Sequence, residues 1–68
     1  MNEEAQKLGD NLKKIRTKKG ITQIEISKKL GVNRSFVSNL ENGKTNPTLA
    51  TITKLAQVLG VSTNELLK

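Results

Sequence analysis

The sequence predicts an all-α domain of five helices, and three observations carry that prediction. Gly20, Gly31, Gly43 and Gly60 each follow a segment with apolar residues at helical spacing. A helix C-terminus favours a residue there that accepts the left-handed conformation. Thr22, Asn33, Thr48 and Ser62 stand ahead of the last four segments, and these residue types are the preferred N-caps. The β-branched residues follow the same helical period, so no strand is expected.

The first helix is expected over 3–19. Leu8, Leu12 and Ile15 form an i, i+4, i+7 stripe facing the core. Glu3 and Glu4 suit its positive end, Lys18 and Lys19 its negative end. Gly9 falls inside this helix, at a cost of about 1 kcal/mol relative to alanine. The second helix opens at Thr22, with Glu25 three residues on as its capping-box partner. Ile21, Ile24, Ile26 and Leu30 are its apolar residues, and Ser27 faces inward among them. Gly31 turns the chain, Val32 returns to the core, and Asn33 caps a third helix from Arg34 to Glu41, held inward by Val37 and Leu40. Pro47 ends any continuation through the polar loop 42–46. A fourth helix follows Thr48 with Leu49, Ile52, Leu55, Ala56 and Leu59 as a wide apolar face. Ser62 and Glu65 suggest a second capping box, for a short helix containing Leu66 and Leu67.

A chain of 68 residues is expected to be a single domain over 1–68. With no cysteine and no histidine, neither a disulfide nor an ordinary metal site is expected. The absence of His, Cys and Tyr, with no converging carboxylates, also removes the usual acid, base and nucleophile set, so an enzyme is not expected. No apolar run approaches the roughly 20 residues that span a bilayer, and Glu3-Glu4 does not suit a signal peptide. A cytoplasmic protein is the expectation. Twelve Lys/Arg against six Asp/Glu, a net +6, favour a polyanionic partner. No small-molecule ligand or cofactor is implied.

The stretch from Thr22 to Gly43, TQIEISKKLGVNRSFVSNLENG, carries the chemistry. With Val37 and Leu40 docked, the outer face of the third helix presents Arg34, Ser35, Ser38 and Asn39. Arginine forks onto guanine O6 and N7, asparagine pairs with adenine N6 and N7, and serine reads either base less strictly. These four residues are the expected base contacts. The amides of Thr22, Gln23 and Ile24 open the second helix where a phosphate finds donors and a favourable dipole. Gln23 adds a side-chain donor, and Asn33, Asn42, Lys44 and Thr45 complete the expected contacts to the DNA backbone, which set register rather than sequence preference.

TQIEISKKLGVNRSFVSNLENGKTNP resembles the helix-turn-helix, here at about 22–42, of the Cro and phage-repressor family, which includes the lambda and 434 repressors. The family pattern of Thr-Gln, a small residue, Gly and Val falls at Thr22-Gln23, Ser27, Gly31 and Val37. Its Glu-Asn-Gly-Lys end falls at Glu41 to Lys44, and LAQVLGVSTNELL is similar to the closing helices. Ser27 departs from the usual alanine, and its hydroxyl is expected to bond back to the preceding turn. Phe36, the one aromatic, either packs against the second helix or meets a thymine methyl or a sugar. The resemblance implies a lambda-repressor-like fold and a largely buried structural ion pair between Arg16 and Glu41. It also implies a transcriptional regulator, a repressor or autoregulator on a dyad operator in double-stranded DNA. One recognition helix covers few base pairs, so a homodimer is expected, through the end of the fourth helix, the Gly60-Val61 turn and the fifth helix, with Val58, Val61 and Leu67 as candidate contacts. The alternatives are a DNA-binding antitoxin, or a protein-interaction module that kept the fold.

Overall fold

Leu12, Ile26, Val37, Leu40, Leu55 and Leu66 expose none of their surface, and every helix contributes at least one of them. The computed structural model describes residues 3–68. Its helices there are α1 (Glu3–Lys19), α2 (Gln23–Leu30), α3 (Arg34–Glu41), α4 (Leu49–Leu59) and α5 (Thr63–Leu67). None of the described helices is long and apolar enough to cross a membrane. Leu8, Ala56 and Leu59 complete the buried cluster, with Ile15, Ile21, Leu30, Val32, Phe36, Ile52, Val58 and Val61 packed around it. Phe36 is therefore a half-buried packing residue.

The turn between α2 and α3 depends on Gly31, whose φ of 74° is costly for any residue with a Cβ. Its N–H donates to the Lys28 carbonyl at 3.3 Å, and Val32 N–H donates to the Ser27 carbonyl at 3.0 Å. This pair of bonds satisfies carbonyls the helix would leave orphaned and drops Val32 back onto the core. The ends of α1, α3 and α4 close in the same way. The Ser27 hydroxyl donates to the Ile24 carbonyl at 2.7 Å, so serine is buried here without an orphaned polar atom.

At the start of α2, Thr22 Oγ1 accepts from Glu25 N–H at 3.1 Å, and a Glu25 carboxylate oxygen accepts from Thr22 N–H at 2.9 Å. The Thr22 N–H donating to it, helped by the Thr22 hydroxyl, holds the Glu25 carboxyl below its ordinary value of 4.5, and Lys29 adds a smaller pull against slight desolvation. A carboxyl lowered in the folded state stabilises the fold above its unfolded pKa and ceases to do so as pH falls through the folded one. The melting temperature is thus expected to fall below about pH 4.5. Glu25→Gln should remove the Glu25 share of that fall, and Thr22→Ala should cost about 1 kcal/mol at neutral pH. Thermal melts from pH 3 to pH 7 check both; identical acid profiles for the parent and Glu25→Gln would refute the assignment.

Three sequence expectations need correction. Ser62 is the N-cap of α5, but its side chain makes no capping bond. The first turn tightens instead, with Glu65 N–H donating to the Ser62 carbonyl at 3.1 Å, and the Glu65 carboxylate accepts from Lys68 Nζ at 3.2 Å. Leu49 belongs to the apolar pattern of α4, yet as the first residue of the helix it is 71% exposed, and the face reaches the core only from Ile52 onward. Gly9 is not simply a weak point in α1. It is buried, and a Cβ there would lie 2.7 Å from the Glu41 carbonyl oxygen and nearer still to that of Leu40. The backbones of α1 and α3 meet at this point, and only glycine lets them.

Candidate nucleic-acid interface

The inner face of α3 is fixed by Val37 and Leu40, both fully buried. The opposite face then carries Arg34, Ser35 and Asn39 exposed, with Ser38 half-buried. Asn33 Oδ1 accepts from Phe36 N–H at 3.0 Å and so starts the helix, which leaves its side-chain amide as the group available outward. Beyond α3, Asn42, Lys44 and Asn46 are exposed and Thr45 half-buried. Gly43 is buried against Gln6 of α1, which pins the loop to the body. The Asn42 amide faces the Ser38 hydroxyl at 3.5 Å.

The N-terminus of α2 borders the same surface. Its capping box takes up the Thr22 N–H, so the expected trio of free amides reduces to Gln23 and Ile24. Among the described residues, neither of these two N–H groups has an intramolecular acceptor, and the α2 dipole adds its positive end there. Thr22 keeps only its hydroxyl for an outside contact.

Behind this surface runs a chain of charged and polar side chains. Arg16 Nε donates to Glu41 Oε2 at 2.5 Å, and Arg16 Nη2 donates to Glu41 Oε1 at 3.2 Å. Arg16 Nη1 also donates to the Ile21 carbonyl at 2.9 Å, which fastens the guanidinium to the start of the α2 segment. Glu41 is 5% exposed, so its charge depends on these donors rather than on water. A third donor is Gln23, whose Nε2 lies 2.9 Å from Glu41 Oε1, while its Oε1 accepts from Arg34 Nη1 at 3.1 Å. Neither of these last two bonds has a signal in the sequence. Gln23 and Arg34 stand eleven residues apart across a glycine turn, and only the angle between α2 and α3 brings them together. Asn11 escapes sequence reasoning for the same cause: its amide donates to the carbonyls of Leu66 and Lys68 at 2.9 and 3.0 Å and holds α5 against α1.

Two short helices at a fixed angle, the second offering a polar face and the first an open N-terminus, define a helix-turn-helix. The helix-turn-helix family matches residues 12–66, and this chain belongs to it, in its Cro and phage-repressor branch. Members of the family are DNA-binding transcription regulators, not enzymes. An uncharacterised helix-turn-helix regulator of Sinorhizobium fredii, y4dJ, is 44% identical over 59 residues, covering 87% of this chain and 77% of its own length. The prophage-derived regulator YonR of Bacillus subtilis is 48% identical over 60 residues, covering 88% of this chain and 56% of its own. The antitoxin HipB of Escherichia coli is 40% identical over 55 residues, covering 81% and 62%. This chain thus spans under two thirds of the length of the last two. Among solved structures, the restriction-modification controller protein C.AhdI of Aeromonas hydrophila superposes with a TM-score of 0.89 at 35% identity, covering 96% of this chain and 98% of its own.

Proposed function

We propose that the protein is a sequence-specific transcriptional regulator, a repressor or autoregulator that binds a dyad operator as a homodimer. The observation that carries this reading is α3 itself: docked on Val37 and Leu40, it holds Arg34, Ser35 and Asn39 outward where a major groove would receive them. Arg34, Ser35, Ser38 and Asn39 are assigned to the bases. Thr22, Gln23, Asn33, Asn42, Lys44 and Thr45 are assigned to the phosphate backbone, along with the open amides of Gln23 and Ile24. A net charge of +6 supplies the non-specific attraction.

Two copies are needed because one α3 reads only a few base pairs. Half-sites then fall roughly 34 Å, one helical turn, apart. Each body measures 26 × 23 × 21 Å, a size that lets two copies sit side by side at that spacing. The contact is assigned to the end of α4, the Gly60-Val61 turn and α5, where Leu67 is 48% exposed and Val58 and Val61 are half-buried. The protein is assigned to the cytoplasm, where the operator is. A second reading, a DNA-binding antitoxin, is favoured by the likeness to HipB. It differs from the first by requiring a protein partner as well as an operator.

Binding to random duplex is expected to weaken steeply as salt rises, since each neutralised phosphate releases counterions. Selection from a random pool should return a dyad. Arg34→Ala is then expected to lose about 1–3 kcal/mol of discrimination at one position per half-site, whereas Lys44→Ala should weaken all sequences alike and lower the salt slope by about 1. Binding that ignores salt, or a selected pool without a dyad, would overturn the assignment.

A further inference from the structure

Asn42-Gly43 is the one place in the chain where an asparagine precedes a glycine. Every other asparagine is followed by a residue with a side chain, and Asn46 by Pro47, which has no N–H. We propose that this pair is a deamidation site held shut by the end of α3, and that the deamidated protein releases DNA. The release rests on the assignment of the loop after α3 to the phosphate backbone.

The chemistry needs only water. Gly43 N gives its proton to a solvent base and attacks Asn42 Cγ. The Cγ–Nδ2 bond breaks, and ammonia leaves with a proton from solvent. What forms is a five-membered succinimide of Asn42 Cα, Cβ, Cγ and carbonyl carbon with Gly43 N. Water then adds to one of the two ring carbonyl carbons, and the bond from that carbon to nitrogen breaks. Breaking it at Cγ leaves an aspartate at position 42. Breaking it at the main-chain carbon leaves an isoaspartate, with the chain running through Cγ. Glycine favours the attack because no side chain crowds its nitrogen.

Asn42 is exposed and its amide meets only the Ser38 hydroxyl, at 3.5 Å, so the carbon to be attacked is open. The fold restrains the nucleophile instead. Ring closure requires Gly43 N to lie on the Cβ side of the Asn42 Cα–C bond. The Asn42 ψ of 6° places it beside the Asn42 N, and substituents on a tetrahedral carbon stand about 120° apart. A turn of that size pulls Gly43 N–H off the Leu40 carbonyl, 3.2 Å away, and Lys44 N–H off the Asn39 carbonyl, 3.0 Å away. It also lifts Gly43 from α1, where a Cβ on this buried glycine would lie 3.0 Å from Gln6 Cα. Reaction therefore waits for a local opening of the last turn of α3.

The product suits neither the helix nor DNA. A carboxylate at position 42 stands at the negative end of the α3 dipole, next to Glu41, and meets phosphate with like charge. The isoaspartate also adds a main-chain carbon ahead of Lys44. The ammonia is not regained, so only new synthesis replaces the lost copy.

The test ages the intact chain in weakly alkaline buffer, folded, folded with excess selected operator, and unfolded in urea. Mass spectrometry follows the tryptic peptide 35–44, whose fragments separate Asn42 from Asn39 as an internal control. In urea, the amide-to-acid mass gain at Asn42 is expected to outrun that at Asn39. Folding should slow it by about 10-fold or more, and operator further, since binding favours the closed form. Equal rates in the folded and unfolded chain, or no excess over Asn39 in urea, overturns the site. Operator binding of the aged protein should fall in step with the gain at Asn42. Asn42→Asp is expected to bind about 10-fold more weakly than Asn42→Ala, which loses the amide without gaining charge. Equal affinity of these two variants overturns the release alone. A parent that binds no duplex at low salt overturns the regulator reading and the release with it, while the rates at Asn42 still decide the site. Thermal melts accompany the titrations, which are run below the lowest melting temperature so that unfolding does not enter the readout.

Discussion

Arg16→Ala is expected to destabilise the domain by about 3–5 kcal/mol, the usual cost of leaving one member of a buried ion pair alone. A chain of 68 residues has total stability on the order of 3–10 kcal/mol, so this one substitution removes much of it. The two partners are not equivalent. The Glu41 side chain is 3% exposed and the Arg16 side chain 16%. Without Arg16, the carboxylate keeps only the Gln23 amide as a donor and has almost no access to water. Without the Glu41 charge, Arg16 still donates to the Ile21 carbonyl and has some solvent to reach. Glu41→Gln is therefore expected to cost less than Arg16→Ala. Arg16→Lys should fall between the parent and Arg16→Ala, because an ammonium keeps the charge and loses the two-pronged grip. Urea denaturation followed by circular dichroism measures all three, and an unchanged midpoint for Arg16→Ala would refute the burial of the pair. Replacing both residues with apolar ones of similar volume should recover part of the loss, since the uncompensated charge disappears.

The sequence disclosed most of what depended on neighbours in the chain, the Ser62–Glu65 capping box being the local signal that does not form. Helix ends were legible because their signals are local: a threonine and a glutamate three residues apart at Thr22 and Glu25, or a glycine after an apolar stripe at Gly31 and Gly60. The division of α3 into a buried and an outward face was legible for the same reason, since Val37 and Leu40 are one turn apart. Contacts between helices were not legible from local pattern. Only the family resemblance pairs Arg16 with Glu41, Gln23 and Arg34 carry no local sign of their partners, and Asn11 gives no signal at all, because each bond depends on how two helices cross. Leu49 marks the opposite limit: helical spacing says which side chains share a face, but not how far along the helix the body extends to cover them.

Gly9 is where local reading and tertiary packing disagree most, and Gly9→Ala decides between them. Helix propensity alone says that alanine would stabilise α1 by about 1 kcal/mol. Packing says the reverse, because the added methyl would meet the carbonyl oxygens of Leu40 and Glu41 inside their contact radii. Those atoms are backbone, so no rotamer change relieves the clash; α1 and α3 must move apart. Overpacking of this kind costs about 1–3 kcal/mol, and the backbone contact places Gly9 at the upper end, enough to reverse the propensity gain. The melting temperature should fall by about 4–8 °C for each net kcal/mol lost in a domain of this size. The displaced atoms lie in the last turn of α3, on Leu40 and on Glu41, and Glu41 holds both Arg16 and Gln23. Gly9→Ala is thus expected to weaken operator binding by more than the unfolded fraction accounts for, although Gly9 is buried under α3 and presents nothing to DNA. A melting temperature that rises would mean that α1 and α3 separate at no cost, and that their close approach does not require glycine at this position.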